Sequence, residues 1–265
     1  MQTQQRSRSM PIETTPEQLS NLAHLPIGNW LLAALEALDP DEFAELEDAL
    51  RPVELAPGTT LVDIDQRPSS LLFVDAGLIS VVTHTAAGEA LEVGFVGTEG
   101  VTTAGWLLGG GVPPYTFVAR LPVSGRRLDA ADARRILSSQ GRFDCLLRIY
   151  GQFLIEQLMQ SVVCARFHNT TERLARLLLT ISDRLGTDTI PRTHESLAPV
   201  VGAPRSVVTE AVGTLRRAGC LDASRGRVAI MDRRKLQEQA CECFATDLAR
   251  RQTFFYRLTA RNPAS

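Results

Sequence analysis

The chain has 265 residues, 44% of them hydrophobic, and a formal net charge of −2 at pH 7. That length predicts two domains, and the apolar fraction is ample for packed cores. No run of about 18 or more uncharged apolar residues is present to form a membrane span, and five cysteines, an odd number, argue against a disulfide framework.

The first segment, Met1 to Ser9, is polar with two arginines and leads into no apolar run, so it does not read as a secretory signal. Residues 1–25 are expected to be a disordered tail and the protein to be cytoplasmic. Residues 26–50 read as helix, with Trp30, Leu31, Leu32, Leu35 and Leu38 as an apolar series. Pro40-Asp41 then breaks and caps the chain before Phe43, Leu46 and Leu50.

From Val53 the texture changes. Val53–Leu55, Thr60–Val62, Leu71–Val74, Leu78–Thr83 and Leu91–Val96 are short β-rich runs. Turn signals such as Pro57-Gly58, Asp75-Ala76-Gly77 and Ala87-Gly88-Glu89 fall between them every 8–12 residues. That rhythm predicts a compact β-barrel or roll reaching to about Leu128. Gly105 to Gly111 reads as an insert, a flexible loop or the wall of a pocket.

A helix signal at Ala130–Leu137 precedes a long helical stretch from Phe143 to about Ala165. Leu147, Leu154 and Ser161 form one seven-residue series, and Gly151, Leu158 and Ala165 another. A helix with such seams is expected to pack on its own barrel and on a symmetry mate. Thr171–Leu185 follows as helix, with Asn169, Thr170 or Thr171 as its N-cap and Glu172 in the first turn.

Residues 193–221 read as a short helix, a glycine turn and a second helix. Gly202 is able to take the left-handed conformation that a tight turn between helices needs. Val207, Val208, Ala211, Val212 and Leu215 recur at helical spacing, and their burial leaves Arg205, Ser206, Thr209 and Glu210 near an exposed N-terminal end. That end of a second helix is where base edges are contacted in the major groove. Cys220–Ala223, the turn Ser224-Arg225-Gly226 and Arg227–Ile230 read as a strand, a basic turn and a strand, a wing beside that helix.

Charge is distributed unevenly. Residues 1–165 carry 11 basic and 20 acidic side chains, residues 166–234 carry 12 and 7, and residues 235–265 carry 5 and 3. A basic segment on an acidic body is a footprint of phosphate binding. Only Lys235 among the basic residues is a lysine; GC-rich coding explains most of that preference, but not the asymmetry.

The remaining chemistry is sparse. Cys145 and Cys164 fall on the long helix and read as small buried hydrophobes. Cys241-Glu242-Cys243 is the possible redox pair, since its spacing is not the C-x₂-C of zinc sites or dithiol catalysts. His24, His84, His168 and His194 are scattered, so no metal site is expected. No nucleophile–base pair is visible, and Gly109-Gly110-Gly111 lacks the Lys-Ser/Thr of a phosphate loop; no enzyme is expected.

The order acidic β-roll, long helix, winged helix-turn-helix resembles the Crp/Fnr family of bacterial transcription regulators over about residues 28–245. The motifs that carry it are Leu55-Ala56-Pro57-Gly58-Thr59-Thr60-Leu61, the Phe73–Gly77 strand and turn, and Leu197-Ala198 to Gly202 with Arg205, Val208, Leu215 and Gly219 behind. The resemblance implies an α+β fold. A cyclic-nucleotide-binding-like double-stranded β-helix roll with flanking helices spans 26–140. A dimerisation helix spans 141–168, a winged helix-turn-helix 169–245 and a helical extension 246–265. It implies a homodimer on double-stranded DNA at a pseudo-palindromic operator, with the helix Pro204 to Gly219 in the major groove, and RNA polymerase as a further partner of an activator. Arg205 matches the family's guanine-reading arginine, with Ser206, Thr209 and Glu210 tuning the choice; Glu210 is expected to accept from a cytosine or to hold Arg205 or Arg216. Arg216, Arg217, Arg225 and Arg227 are the expected phosphate contacts.

The effector pocket departs from the family pattern. Gly97 and Glu99 stand for the ribose-binding pair, and Tyr115 and Thr116 fall near the hydroxyl position. Pro114 occupies the place of the phosphate-binding arginine, with Arg120 several residues late. No cofactor is therefore expected, and a cyclic nucleotide that gates DNA binding is the alternative reading. The four-cysteine iron–sulfur arrangement of oxygen-sensing members is absent.

Overall fold

The structure is a computed structural model that describes residues 28–109, 111–137, 140–224 and 226–260. The expected N-terminal tail lies outside the described residues.

Two short helices open the fold, α1 (Trp30–Leu38) and α2 (Pro40–Ala49). The Asn29 side chain caps α1 by accepting from the N–H groups of Leu31 and Leu32, while its amide donates to the Val74 and Gly100 carbonyls. Asp39, rather than Asp41, caps α2: its carboxylate accepts from the Glu42 N–H, and Pro40 takes the first helical position, where no N–H is needed.

Seven strands follow: β1 (Arg51–Leu55), β2 (Thr60–Val62), β3 (Ser70–Ala76), β4 (Ile79–His84), β5 (Ala90–Val96), β6 (Thr116–Ala119) and β7 (Val123–Asp129). They form two antiparallel sheets, ordered β1-β7-β3 and β2-β6-β4-β5. Val62, Leu72, Val74, Ile79, Val96, Phe117 and Val123 fill the space between them, so this is the expected roll. The reversal from β3 to β4 needs Gly77, at φ +91°, because a Cβ there would collide with the Pro122 carbonyl. Between β5 and β6 the insert forms a single turn of helix, α3 (Ala104–Leu107).

Two helices lead out of the roll, α4 (Ala130–Leu137) and the 26-residue α5 (Arg142–Phe167). Leu147 is fully buried and Leu154 packs against the same core, so that series faces the protomer's own body. The exposed apolar face runs instead through Ile155, Leu158, Met159, Val162, Val163 and Phe167. The helix is long enough to carry both faces, and the period alone did not say which one the roll would take.

The C-terminal domain begins with α6 (Thr170–Leu185), capped by Asn169 in a reciprocal pair with Glu172. It continues through β8 (Thr189–Ile190), α7 (His194–Val201), α8 (Arg205–Arg217), β9 (Leu221–Ser224), β10 (Arg227–Ile230) and α9 (Arg233–Gln239). The wing is a three-stranded sheet, β8-β10-β9, in which Val228 pairs with both Ile190 and Ala223.

The last helix, α10 (Cys243–Thr259), returns to the first domain. Phe254 and Leu258 join the core of Trp30, Leu35, Phe143 and Tyr150, with Phe254 stacked on Phe153 at 4.3 Å between centroids. The extension thus begins at Cys243 and belongs to the packing of the roll's helices.

Candidate nucleic-acid interface

Helix α7 starts where Thr193 accepts from the Ser196 N–H and Ser196 returns the bond to the Thr193 N–H. It stops at Gly202, at φ +68°, whose N–H reaches the Ala198 carbonyl. Beyond this turn, Val208, Ala211, Val212 and Leu215 of α8 are buried against Leu174, Leu178, Leu197 and Val228. Val207, expected among the buried series, is exposed, because it sits one position off that stripe.

The outward face of α8 carries the predicted base-reading set. Arg205, Ser206, Thr209 and Glu210 are all exposed on its first two turns. The Thr209 hydroxyl donates to the Arg205 carbonyl at 2.9 Å and lies 3.3 Å from His194 Nδ1. His194 is therefore a neighbour of the reading edge that the sequence did not single out; it opens the preceding helix, and only the turn geometry brings it there. Among the described residues, Glu210 makes no ion pair with Arg205 or Arg216, so the holding role expected for it is not seen here.

The predicted phosphate contacts surround this edge. Arg216 and Arg217 are exposed at the end of α8, where Arg216 lies 3.7 Å from Asp222 and Arg217 donates to the Thr214 hydroxyl. Arg227 is exposed on the wing and donates to the Ser224 hydroxyl. Arg225 lies outside the described residues.

Other arginines of the basic segment point inward. Arg184, at the end of α6, pairs with Glu99 of the roll at 3.0 Å, and Arg192 lies 3.5 Å from Glu92 of β5. All four side chains are at most 4% exposed. Ser80 donates to the same Glu92 oxygen at 2.5 Å. Burial pushes the Glu92 carboxyl above its ordinary value, against the opposing pull of Arg192 and Ser80. Leu78 and Phe95 of the roll sit in the same core as α6, α7 and α8, so the C-terminal domain is docked on the roll by apolar contact and two buried ion pairs.

The expected effector residues do not converge. Glu99 is committed to Arg184, Thr116 donates to Asp63 at 3.0 Å, and Arg120 is exposed. Gly97 lies so close to the Glu99 carboxylate that a Cβ would crowd it. Tyr115 does border a cavity of about 540 Å³ between the roll, α5, α6, the end of α7 and α10, lined by Val81, Phe95, Phe117 and Leu154 together with Arg176, Arg184 and Arg251. Gly105 of the insert also lines it, whereas Gly110 lies outside the described residues.

Cys241 and Cys243 are both buried at the start of α10. They meet Cys164 and His168 from the end of α5, a grouping that sequence separation concealed. Cys164 is buried, as expected, with its sulfur 3.6 Å from that of Cys241, and the scattered histidines include one that lies beside the three thiols.

Residues 172–239 match the family of Crp-like helix-turn-helix domains. No curated protein matches the chain. Among solved structures, a Crp/Fnr-family protein from Eubacterium rectale ATCC 33656 superposes with a TM-score of 0.64 at 18% identity, covering 76% of this chain and 94% of that one. FixK2 from Bradyrhizobium japonicum gives 0.63 at 14% identity over 72% and 98%. The c-di-GMP-responsive global regulator CLP from Xanthomonas campestris gives 0.60 at 16% identity over 73% and 100%. The chain thus carries a Crp-like helix-turn-helix domain over residues 172–239, and its overall fold is that of solved Crp/Fnr-family structures.

Proposed function

We propose that the protein acts as a homodimer that places two copies of α8 in successive major grooves of a pseudo-palindromic operator. The observation that carries this is the division of α8 into a buried stripe and an exposed N-terminal edge bearing Arg205, Ser206, Thr209 and Glu210. The exposed apolar face of α5, from Ile155 to Phe167, supports the dimer, since such a face is costly to leave in water. Arg205 reads a base, Ser206, Thr209 and Glu210 tune the choice, and Arg216, Arg217 and Arg227 hold phosphates. Selection of duplexes from a randomised pool tests this. The expected product is a two-fold symmetric motif with half-sites about one DNA turn, roughly 34 Å, apart. A folded dimer that enriches no sequence, with or without candidate effectors, would overturn it.

The cavity favours a second reading, in which a small molecule conditions DNA binding. Its volume lies in the range of about 300–1,000 Å³ usual for ligand pockets; its lining combines apolar side chains with Arg173, Arg176, Arg184 and Arg251, and of the residues expected to hold a cyclic nucleotide only Tyr115 borders it. Calorimetric titration with cyclic AMP and cyclic GMP is expected to be silent; a saturable heat would restore the nucleotide reading.

A further inference from the structure

Cys164 and His168 stand four residues apart at the end of α5, and Cys241 and Cys243 stand two apart at the start of α10. The fold brings these pairs together across more than 70 positions of sequence. The three sulfurs and a ring nitrogen of His168 all lie within 4.8 Å of one another. The Cys164 and Cys241 sulfurs are 3.6 Å apart, and the Cys243 sulfur is 3.5 Å from His168 Nδ1. A tetrahedral zinc ion with Zn–S of about 2.3 Å and Zn–N of about 2.0–2.1 Å sets S···S near about 3.8 Å and S···N near about 3.6 Å. Both observed separations are close to those edges. The sulfur pair is far outside the bonding distance of a disulfide, roughly 2.05 Å.

The surroundings are those of a ligand set rather than of three small hydrophobes. His168 Nε2 lies 3.1 Å from the Glu242 carboxylate, which leaves Nδ1 free to face the thiols. A carboxylate behind a histidine is the usual way to orient that ring toward a metal. Gln160 Nε2 donates to the Cys243 sulfur at 3.0 Å. The guanidinium of Arg176, held by Asp247 at 2.5 Å, lies beside Cys164. Three thiolates and a neutral imidazole around a divalent ion carry net charge −1, and Arg176 offsets it. The cysteines are buried, so thiolates there need a cation.

We propose that Cys164, His168, Cys241 and Cys243 bind one zinc ion in a closed Cys₃His site. Four protein ligands leave no open position, so the ion is structural. His168 caps α5 and is followed only by Asn169 before α6 begins. The ion therefore pins the corner between the long helix and the DNA-facing domain to the helix that returns to the roll.

The test is the metal content of the full-length protein purified under reducing conditions, followed by chelation and titration with cobalt(II). One zinc per protomer is expected, without iron or acid-labile sulfide. Cobalt should give an intense tetrahedral ligand-field spectrum with thiolate-to-metal charge transfer. His168→Cys should retain one ion per protomer, while Cys243→Ala should lose it. Glu242→Gln, which changes an exposed side chain and no ligand, should fold and bind zinc about 10–100-fold more weakly. A folded, reduced protein that takes up neither zinc nor cobalt would overturn the proposal. So would an octahedral cobalt spectrum, an iron–sulfur cluster, or a Cys164–Cys241 disulfide in the protein as isolated.

Discussion

The exposed arginines of α8 and the wing and those at the seam with the roll are the same residue type in neighbouring stretches of sequence, yet the fold gives them opposite surroundings. Arg205, Arg216, Arg217 and Arg227 are exposed on α8 and the wing. Arg184 and Arg192 are buried against Glu99 and Glu92, Arg176 is held by Asp247, and Arg233 by Asp183. Part of the positive charge of residues 166–234 is therefore neutralised inside the protein. A basic segment is a reservoir of cations; which of them reach phosphate depends on what the fold sets opposite each one.

The sharpest way to break this contrast is to remove a seam arginine. Arg192→Ala leaves Glu92 buried without its cation, and the expected loss of stability is about 3–5 kcal/mol by denaturant unfolding. Replacing both partners, as Glu92→Leu with Arg192→Met, should recover most of it. If the single and double variants lose equally, the seam pair matters through packing and not through charge.

The same pair makes a pH prediction. Because burial raises the Glu92 carboxyl, the folded chain favours its protonated form. Its contribution to stability is full below its ordinary value of 4.5 and is lost as pH rises through the raised one. Losing Arg192 deepens that decline, so the Arg192→Ala penalty should be smaller at mildly acidic than at mildly alkaline pH. A penalty independent of pH would assign the cost elsewhere.

At the DNA-facing edge, Arg205→Ala should weaken the preferred operator by about 1–3 kcal/mol and relax one base position. An unchanged preferred sequence would remove Arg205 from the reading set. Arg227→Ala should weaken all sequences alike and make the salt dependence shallower by about 1 in log–log slope. A loss confined to one sequence would instead make it a base contact. The smallest effect belongs to the turn: Thr193→Ala removes the cap of α7 and should cost about 1 kcal/mol, read as a lower melting temperature.

What the residues dictated alone is local. The five runs from Val53 to Val96 became strands, Asn169 and Glu172 formed their capping pair, and Gly202 turned left-handed between α7 and α8, because hydrophobic period, capping chemistry and glycine conformation act over a few residues. The exposed reading edge of α8 was legible for the same reason: burying one stripe of a helix exposes the other. Tertiary structure decided what depends on distant partners. It turned the Leu147 and Leu154 side of α5 inward and left Ile155 to Phe167 exposed, tied Glu99 to Arg184 instead of leaving it in a pocket, and closed Cys164 and His168 on Cys241 and Cys243. Sequence spacing carries no signal for ligands contributed by two helices that meet only when the last one folds back on the first.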